Sequence, residues 1–182
     1  MQHPLSDFRY CPHCGSPSFA ENDTFSKRCA ACGFTYYPDA AAATVAVIVN
    51  DRNELLCVRR GREPARGTLD LPGGFVDPGE GITDGLLREV REETGGEVAD
   101  YAFLFSLPNT YLYSGHLVHT ADAFFRCRLC DDSVVSAHDD VEQLMWLPLC
   151  DVRPADFGLD SVREGVKRLL EGWQKNGLTL QK

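Results

Sequence analysis

Residues 74–96 read GFVDPGEGITDGLLREVREETGG and hold six carboxylates, which makes them the most informative stretch of the chain. Glu89, Glu92 and Glu93 are spaced three and four residues apart, so an α-helix would place all three on one face. Unpaired glutamates on one face repel each other, whereas a bound divalent cation would hold them together. The neighbouring face carries the apolar side chains Leu86, Leu87 and Val90. The stretch therefore predicts an amphipathic helix with metal-binding carboxylates at the edge of a cleft.

Glycine turns frame the predicted helix. Leu71-Pro72-Gly73-Gly74 reads as the end of a strand and a tight turn, and Pro78-Gly79 is a second turn just before Glu80. Paired glycines let backbone carbonyls approach a metal or a phosphate closely. The helix is predicted to begin near residues 81–83 and to end at Gly95-Gly96, a common C-terminal signal.

The stretch resembles the Nudix box, in which a glycine, a glutamate and the run Arg-Glu-apolar-any-Glu-Glu-any-Gly stand at fixed spacing. The matching positions are Gly74, Glu80, Arg88, Glu89, Val90, Glu92, Glu93 and Gly95. Three departures remove no carboxylate: Gly81 where many members have a serine cap, Gly96 where an apolar residue is usual, and Leu69 where many have tryptophan. A solvated acidic helix beside a glycine turn is the alternative, but it would not require Glu80 and Arg88 at these offsets.

The resemblance covers roughly residues 40–175 and implies an α/β/α sandwich with a mixed sheet, where the pattern alone indicates only a mixed α/β domain. It implies that Mg²⁺ or Mn²⁺ is held by the Gly74 carbonyl and by Glu80, Glu89, Glu92 and Glu93. Arg88 would orient a carboxylate through its bidentate guanidinium. The general base stays open between Glu89 and two residues of the loop before Trp146, Asp140 and Glu142. The implied catalytic residues are therefore Arg88, the three helix glutamates, Asp140 and Glu142.

A second metal site is predicted near the N-terminus. Cys11-x-x-Cys14 and Cys29-x-x-Cys32 are knuckles that are each closed by a glycine and are separated by fourteen residues, as in a tetrahedral four-thiolate zinc site. Because four thiolates leave no open position, this Zn²⁺ is expected to be structural and to supply the folding energy of a small module. Two disulfides are the alternative. The predicted division is a zinc ribbon at residues 1–38 and a Nudix hydrolase domain at residues 39–182.

Strand-like runs follow the box at residues 97–107, 111–113 and 119–129, with a predicted break at Pro108-Asn109. A final helix is predicted from Ser161, with an apolar stripe on one side. Four arginines lie in the loop before the box: Arg59, Arg60, Arg62 and Arg66. They either contact substrate phosphates or form a solvated basic loop.

Composition limits the possible partners. The 182-residue chain has a formal net charge of −9, which argues against a general affinity for nucleic-acid backbone. Capped or NAD-linked RNA stays open as a narrower possibility. No apolar run is long enough to span a bilayer and no signal-peptide core is present, so a cytoplasmic protein is expected. Similar proteins are often homodimers, which is a further expectation.

The predicted activity is divalent-metal-dependent hydrolysis of a pyrophosphate linkage in a nucleoside diphosphate derivative. A four-cysteine ribbon before a Nudix domain is similar to NADH pyrophosphatases and to some FAD and ADP-ribose pyrophosphatases. The NADH group carries Ser-Gln-Pro-Trp-Pro-Phe-Pro-x-Ser after its box, and this chain has Leu107-Pro108-Asn109-Thr110-Tyr111 there, so the choice among NADH, FAD and ADP-ribose stays open. Two alternatives are a non-catalytic Nudix-like nucleotide sensor and a zinc-ribbon nucleic-acid-binding protein.

Overall fold

The structure, a computed structural model, describes residues 3–113, 115–133, 135–136 and 141–176. Its elements, in chain order, are β1 (Phe19–Glu21), β2 (Lys27–Cys29), β3 (Thr35–Tyr36), β4 (Ala41–Ile48), β5 (Glu54–Arg60), β6 (Leu69–Asp70), α1 (Ile82–Thr94), β7 (Val98–Tyr113), β8 (His116–Leu129), β9 (Val141–Pro148), a 3-10 turn (Pro154–Asp156) and α2 (Asp160–Asn176). None of the described helices combines the length and the apolar character needed to cross a membrane.

The N-terminal unit is a small antiparallel sheet of β1, β2 and β3. Its buried side chains are Cys11, Phe19 and Cys29, and Phe34 and Tyr36 pack against them. So small a cluster removes little apolar surface from water, and domains of this size usually need a metal or a disulfide for stability.

Two further sheets form the main domain. In the first, β8 pairs in parallel with β4 and antiparallel with β7, which makes the sheet mixed. The second is antiparallel, in the order β6-β5-β9. Residues 72–76 run along the other edge of β4, where the Thr44 N–H donates to the Gly74 carbonyl at 2.8 Å and the Ala46 N–H donates to the Pro72 carbonyl at 2.7 Å. This pairing fixes the glycine turn beside the start of β4.

The strands lie between two helical layers. Side chains alternate across a strand, so each face of the sheet presents apolar side chains to a different helix. On β4, Val45 and Val47 belong to the cluster that contains the α2 stripe of Val162 and Val166. Ala46, on the opposite face, packs in a second cluster with residues of α1. This arrangement confirms the predicted α/β/α sandwich with a mixed sheet.

Helix α1 begins and ends where the glycines predict. Gly81 is its N-cap, and its N–H donates to the Asp84 side chain at 3.1 Å. Gly95 ends the helix in the left-handed conformation with φ of 70°, and its N–H donates to the Arg91 carbonyl at 2.9 Å. Leu86 and Val90 are fully buried, and the three glutamates lie beside this buried face.

The predicted strand break at Pro108-Asn109 is wrong. Strand β7 runs without interruption from Val98 to Tyr113, and Pro108 pairs with Ala121 of β8. Proline is tolerated there because β7 lies at the edge of its sheet, where a missing N–H removes no ladder hydrogen bond on the outer side. Strand β8 also begins at His116, earlier than the sequence predicts.

The N-terminal unit contacts the end of the β7–β8 hairpin. The ring of Phe8 lies 5.8 Å from the ring of His116, centroid to centroid. The Asp7 carboxylate is 3.9 Å from Nδ1 of the same histidine. His116 pairs with Tyr113 at the last rung of the hairpin, so the contact is made at its tip.

Candidate active site

A cleft of about 450 Å³ opens where α1, the glycine turn and the start of β4 meet. Among the described residues, seven acidic side chains and four arginines line it. Its size falls within the range of about 300–1,000 Å³ that is usual for small-molecule sites. This concentration of charge suits an anionic ligand that binds together with a metal cation. The arginines would contact the anionic groups, and the carboxylates would hold the cation.

Three glutamates of α1 reach one end of the cleft. Glu89, Glu92 and Glu93 all line it, as their helical spacing predicts. The Glu93 carboxylate accepts a hydrogen bond from the Gly73 N–H at 3.0 Å. A Cβ atom at Gly74 would lie 2.5 Å from the Glu89 carboxyl carbon, so only glycine allows the backbone and this carboxylate to approach so closely.

Arg88 connects the carboxylates to each other. Its Nε and Nη2 donate to the two oxygens of Glu80 at 2.8 and 2.9 Å. Its Nη1 donates to Glu89 at 2.8 Å and to Glu92 at 3.0 Å, and Nη2 also donates to the Phe75 carbonyl at 2.9 Å. Both Glu80 oxygens are thus engaged by one guanidinium, which favours a role for Glu80 in positioning Arg88 over direct contact with a metal.

The environment separates the pKa values of these carboxyl groups. Hydrogen bonds from Arg88 lower the pKa of Glu80 to about 2. Desolvation raises the pKa of Glu89 above its usual value, although Arg88 acts in the opposite direction. Desolvation likewise raises the pKa of Glu93 to about 8, and the nearby Asp70 and Glu89 add to this effect. Negative charge at Glu89 and Glu93 is therefore costly unless a cation lies beside it.

This donor set fits a hard divalent ion. Glu89, Glu92 and Glu93 each contribute a carboxylate to the lining of the cleft, and oxygen ligands are what Mg²⁺ and Mn²⁺ prefer. The Gly74 carbonyl accepts one hydrogen bond, from the Thr44 N–H at 2.8 Å, and a carbonyl oxygen has a second lone pair. A bound cation would lower the raised pKa values of Glu89 and Glu93, because positive charge favours the ionised carboxylates.

Neither of the two candidate bases from the distant loop is among the described residues that line the cleft. Glu142 is exposed on β9 and is not among the residues that line the cleft. Asp140 lies outside the described residues. Of the three predicted candidates for the general base, Glu89 is the one that the described residues place in the cleft.

The arginine loop contributes to the cleft but is also tied to its own backbone. Arg59, Arg60 and Arg62 line the cleft, whereas Arg66 does not. Arg59 donates to the Gly67 carbonyl at 2.7 Å. Arg60 donates to the Pro64 carbonyl and forms an ion pair with the buried Asp70. The loop is therefore a structured wall of the cleft rather than a freely solvated segment.

The lining of the cleft also includes polar residues of β7 and β8 that sequence reasoning missed. Asn109, Thr120 and Asp122 line the cleft and are each at least nine-tenths buried. Asp122 accepts hydrogen bonds from the hydroxyls of Thr120 and Ser161. A lone carboxylate within the apolar run from Ala121 to Phe125 is a signal that could have identified Asp122 from the sequence.

The four ribbon cysteines form a separate cluster. The sulfur atoms of Cys11, Cys14, Cys29 and Cys32 all lie within 4.8 Å of one another, and all four thiols are free. Equivalent hydrogen bonds close the two knuckles, from the Gly15 N–H to the Cys11 carbonyl and from the Gly33 N–H to the Cys29 carbonyl. This is the geometry of a four-thiolate site, and the alternative of two disulfides does not occur in it.

Comparison with known proteins gives two family matches. The family model described as NUDIX domain matches residues 39–169. The model described as NADH pyrophosphatase zinc ribbon domain matches residues 6–37, which is consistent with zinc at the cysteine cluster. Both matches fall within the two predicted divisions of the chain.

Individual relatives agree with these matches. The chain is 31% identical to the NAD-capped RNA hydrolase NudC of Vibrio parahaemolyticus over 120 residues, which are 66% of this chain and 45% of that protein. It is 29% identical to NudC of Stutzerimonas stutzeri over 142 residues, which are 78% of this chain and 49% of that protein. The crystal structure of a NUDIX hydrolase from Nitrosomonas europaea superposes with a TM-score of 0.68 and 20% identity and covers 93% of both chains, a likeness of fold alone. The chain spans about half the length of these curated relatives.

Proposed function

The chain belongs to the Nudix family, and on that basis we propose that it hydrolyses a pyrophosphate linkage in a nucleoside diphosphate derivative with the help of a divalent metal ion. The family match confirms the resemblance of residues 74–96. The observation that carries the proposal is that Glu89, Glu92 and Glu93 line one cleft together with Gly74, and that Arg88 bridges Glu89 and Glu92.

The proposed metal site uses the three α1 glutamates and the Gly74 carbonyl. Mg²⁺ or Mn²⁺ is the proposed ion, since all of these ligands are oxygen atoms. When bound, such an ion neutralises charge on the phosphoryl oxygens and lowers the pKa of a coordinated water, an effect worth several kcal/mol. Zn²⁺ is proposed at Cys11, Cys14, Cys29 and Cys32, where it would be structural.

The protein groups hold the substrate and the ligands in position. Arg88 fixes Glu89 and Glu92 by direct hydrogen bonds, and Glu80 in turn fixes Arg88 by two. This network limits the rotamers of the carboxylates before substrate arrives, which is the preorganisation that phosphoryl transfer requires. Glu89 is the preferred general base, because it is the candidate that lies among the described residues lining the cleft. Asp140 and Glu142 remain the alternatives for this role.

The substrate is proposed to be a dinucleotide such as NADH or FAD, or ADP-ribose. The ribbon match and the NudC relatives support NADH and NAD-capped RNA as members of the test panel. The sequence Leu107-Pro108-Asn109-Thr110-Tyr111 stands where the NADH group has its motif, which argues against NADH as the substrate. The arginines Arg59, Arg60 and Arg62 also line the cleft, and their positive charge complements a diphosphate.

The test is a substrate panel with matched variants. NADH, ADP-ribose, FAD, diadenosine polyphosphates, dNTPs and a short NAD-capped RNA are incubated with Mg²⁺ or Mn²⁺, and phosphate-containing products are separated by chromatography. Glu92→Gln and Glu93→Gln are expected to abolish cleavage while the circular dichroism spectrum and melting temperature show a folded protein. Full activity in either variant contradicts the metal assignment. Tight binding of ADP-ribose without turnover by the wild type would instead favour a nucleotide sensor.

A further inference from the structure

The cleft has a second polar end that the proposed metal chemistry does not use. Asn109 is 6% exposed and lines the cleft. Its Oδ1 atom is buried and has no hydrogen-bond partner among the described residues. Buried side-chain oxygens are nearly always hydrogen-bonded, and an unpartnered one carries a desolvation penalty. An acceptor buried in this way at a cleft wall indicates that a ligand provides the missing donor.

We propose that Asn109, supported by Asp122, forms a subsite that selects substrates whose nucleoside presents a neutral hydrogen-bond donor, either a base amino or carboxamide N–H or a ribose O–H. The inference rests on the proposed function, because it assigns the substrate specificity of the same cleft. It concerns the end of the cleft formed by β7, β8 and the start of α2, apart from the α1 glutamates.

The sheet register places the subsite residues on one face. Asn109 of β7 pairs directly with Thr120 of β8, and Asp122 follows two residues later. Side chains two residues apart share a face of a strand. Asp122 is fixed from two sides, by the hydroxyls of Thr120 and Ser161. The floor of the subsite is therefore rigid before any ligand arrives.

Acceptors predominate in this subsite. The Thr120 hydroxyl donates its proton to Asp122, which leaves only its lone pairs for a ligand. The Asp122 carboxylate has further lone pairs, and Asn109 adds its Oδ1. Phosphate and carboxylate groups are repelled by such a set, whereas N–H and O–H groups complete it.

The apolar wall of the subsite indicates a base-sized group. Leu159 and Val162, just before and within the first turn of α2, line the cleft beside Asp122. Apolar walls with a few fixed polar atoms are typical of sites for flat heterocycles. An asparagine carboxamide can also pair in a bidentate manner with an adenine edge, through its oxygen and its N–H group.

The experiment compares Asn109→Leu with wild type on pairs of substrates that differ in one donor. Each panel compound that the wild type cleaves is paired with analogues that lack one donor. In these analogues the adenine amino group is replaced by oxygen, the nicotinamide carboxamide by a carboxylate, or the ribose 2′-hydroxyl by hydrogen. Steady-state kcat and KM are measured for each pair. Thr110→Val serves as the control, because Thr110 is exposed on the opposite face of the same strand and contacts His119.

The wild type is expected to prefer one parent substrate over its donor-deleted analogue by about tenfold in kcat/KM, which corresponds to about 1.4 kcal/mol. Asn109→Leu is expected to lower kcat/KM for the parent by that factor and to leave the analogue unchanged. The pair that responds identifies whether the donor is a base N–H or a ribose O–H. Thr110→Val should match the wild type on both substrates.

Stability provides a second readout. Because Asn109→Leu removes an unpartnered buried acceptor, its melting temperature should equal or exceed that of the wild type. If the leucine variant does not fold, Asn109→Ala is measured on the same substrate pairs. Equal losses on parent and analogue, or a preference that survives the substitution, would overturn the subsite.

Failure of the subsite can be separated from failure of the proposed function. If the wild type cleaves no pyrophosphate, the hydrolase proposal fails, and the subsite is tested by calorimetric binding of AMP, IMP and NMN to wild type and Asn109→Leu. Weaker binding of one of these mononucleotides to the variant would support the subsite. Identical binding would overturn it.

Discussion

Gly74→Ala tests whether the close approach of the glycine turn to Glu89 is needed for catalysis. The added Cβ would lie 2.5 Å from the carboxyl carbon and Oε1 of Glu89 and 2.7 Å from Oε2. Ordinary contact begins near 3.4 Å, so the carboxylate has to move by about 1 Å. A displacement of about 1 Å in an active site lowers the rate on the order of 100-fold.

The same geometry predicts that stability is spared. The atoms in conflict are the end of a flexible side chain and not backbone, so Glu89 can rotate away at small cost to folding. The expected result is therefore a melting temperature near that of the wild type, weaker Mn²⁺ binding by calorimetry, and kcat/KM on the best panel substrate reduced by about 100-fold.

Gly172→Ala is the matched control. Gly172 lies in α2, and a Cβ atom there meets nothing within 4 Å. Alanine in a helix interior is more stable than glycine by about 0.5–1 kcal/mol, so this variant should gain stability and retain full activity. Wild-type turnover and Mn²⁺ affinity in Gly74→Ala would refute the reasoning, because the Glu89 carboxylate could then not be at the reacting centre.

Three other predictions concern Arg88, Glu93 and the cysteine cluster. Arg88→Lys keeps the charge but loses the bidentate contact with Glu80, and activity should fall by about 10–100-fold, measured as kcat/KM with a melting curve as the check on folding. Without added Mg²⁺ or Mn²⁺, the pKa of Glu93 is about 8 in the folded protein and 4.5 in the unfolded chain. Between these pH values the folded state binds more protons than the unfolded state. The free energy of unfolding should therefore decrease as the pH rises toward 8. Urea titrations at pH 6 and pH 9 check this, and Glu93→Gln should remove the extra slope. Cys32→Ser should release zinc, seen with a colorimetric chelator, and unfold the N-terminal unit, seen as proteolysis within residues 6–37; a protease-resistant ribbon in that variant would contradict the structural role of the metal.

The parts of the site that could be predicted from sequence are those set by local spacing. The i, i+3 and i+4 positions of Glu89, Glu92 and Glu93 fix a shared helix face whatever surrounds it. The two Cys-x-x-Cys knuckles are likewise short loops whose geometry depends on neighbouring residues. Such features require no knowledge of which strands pair.

The features that sequence reasoning missed depend on long-range pairing. Pro108 reads as a strand break until β7 is known to lie at a sheet edge. Asn109 and Asp122 are thirteen positions apart and come together only through the β7–β8 register. The hydrogen bond from Arg88 to the Phe75 carbonyl is also not predictable from local spacing, because it requires the glycine turn to fold back over α1.

The contact between Phe8 and His116 joins the N-terminal cysteine unit to the β7–β8 hairpin of the main domain. Tyr113, across the hairpin from His116, lines the cleft, and the N-terminal unit contacts the same hairpin through Asp7 and Phe8. Oxidants that attack the cysteines would unfold the N-terminal unit and remove its contacts with the hairpin that carries Tyr113. Turnover would then decline under peroxide while every glutamate of α1 stayed chemically intact, and a thiol reductant with fresh zinc would restore it.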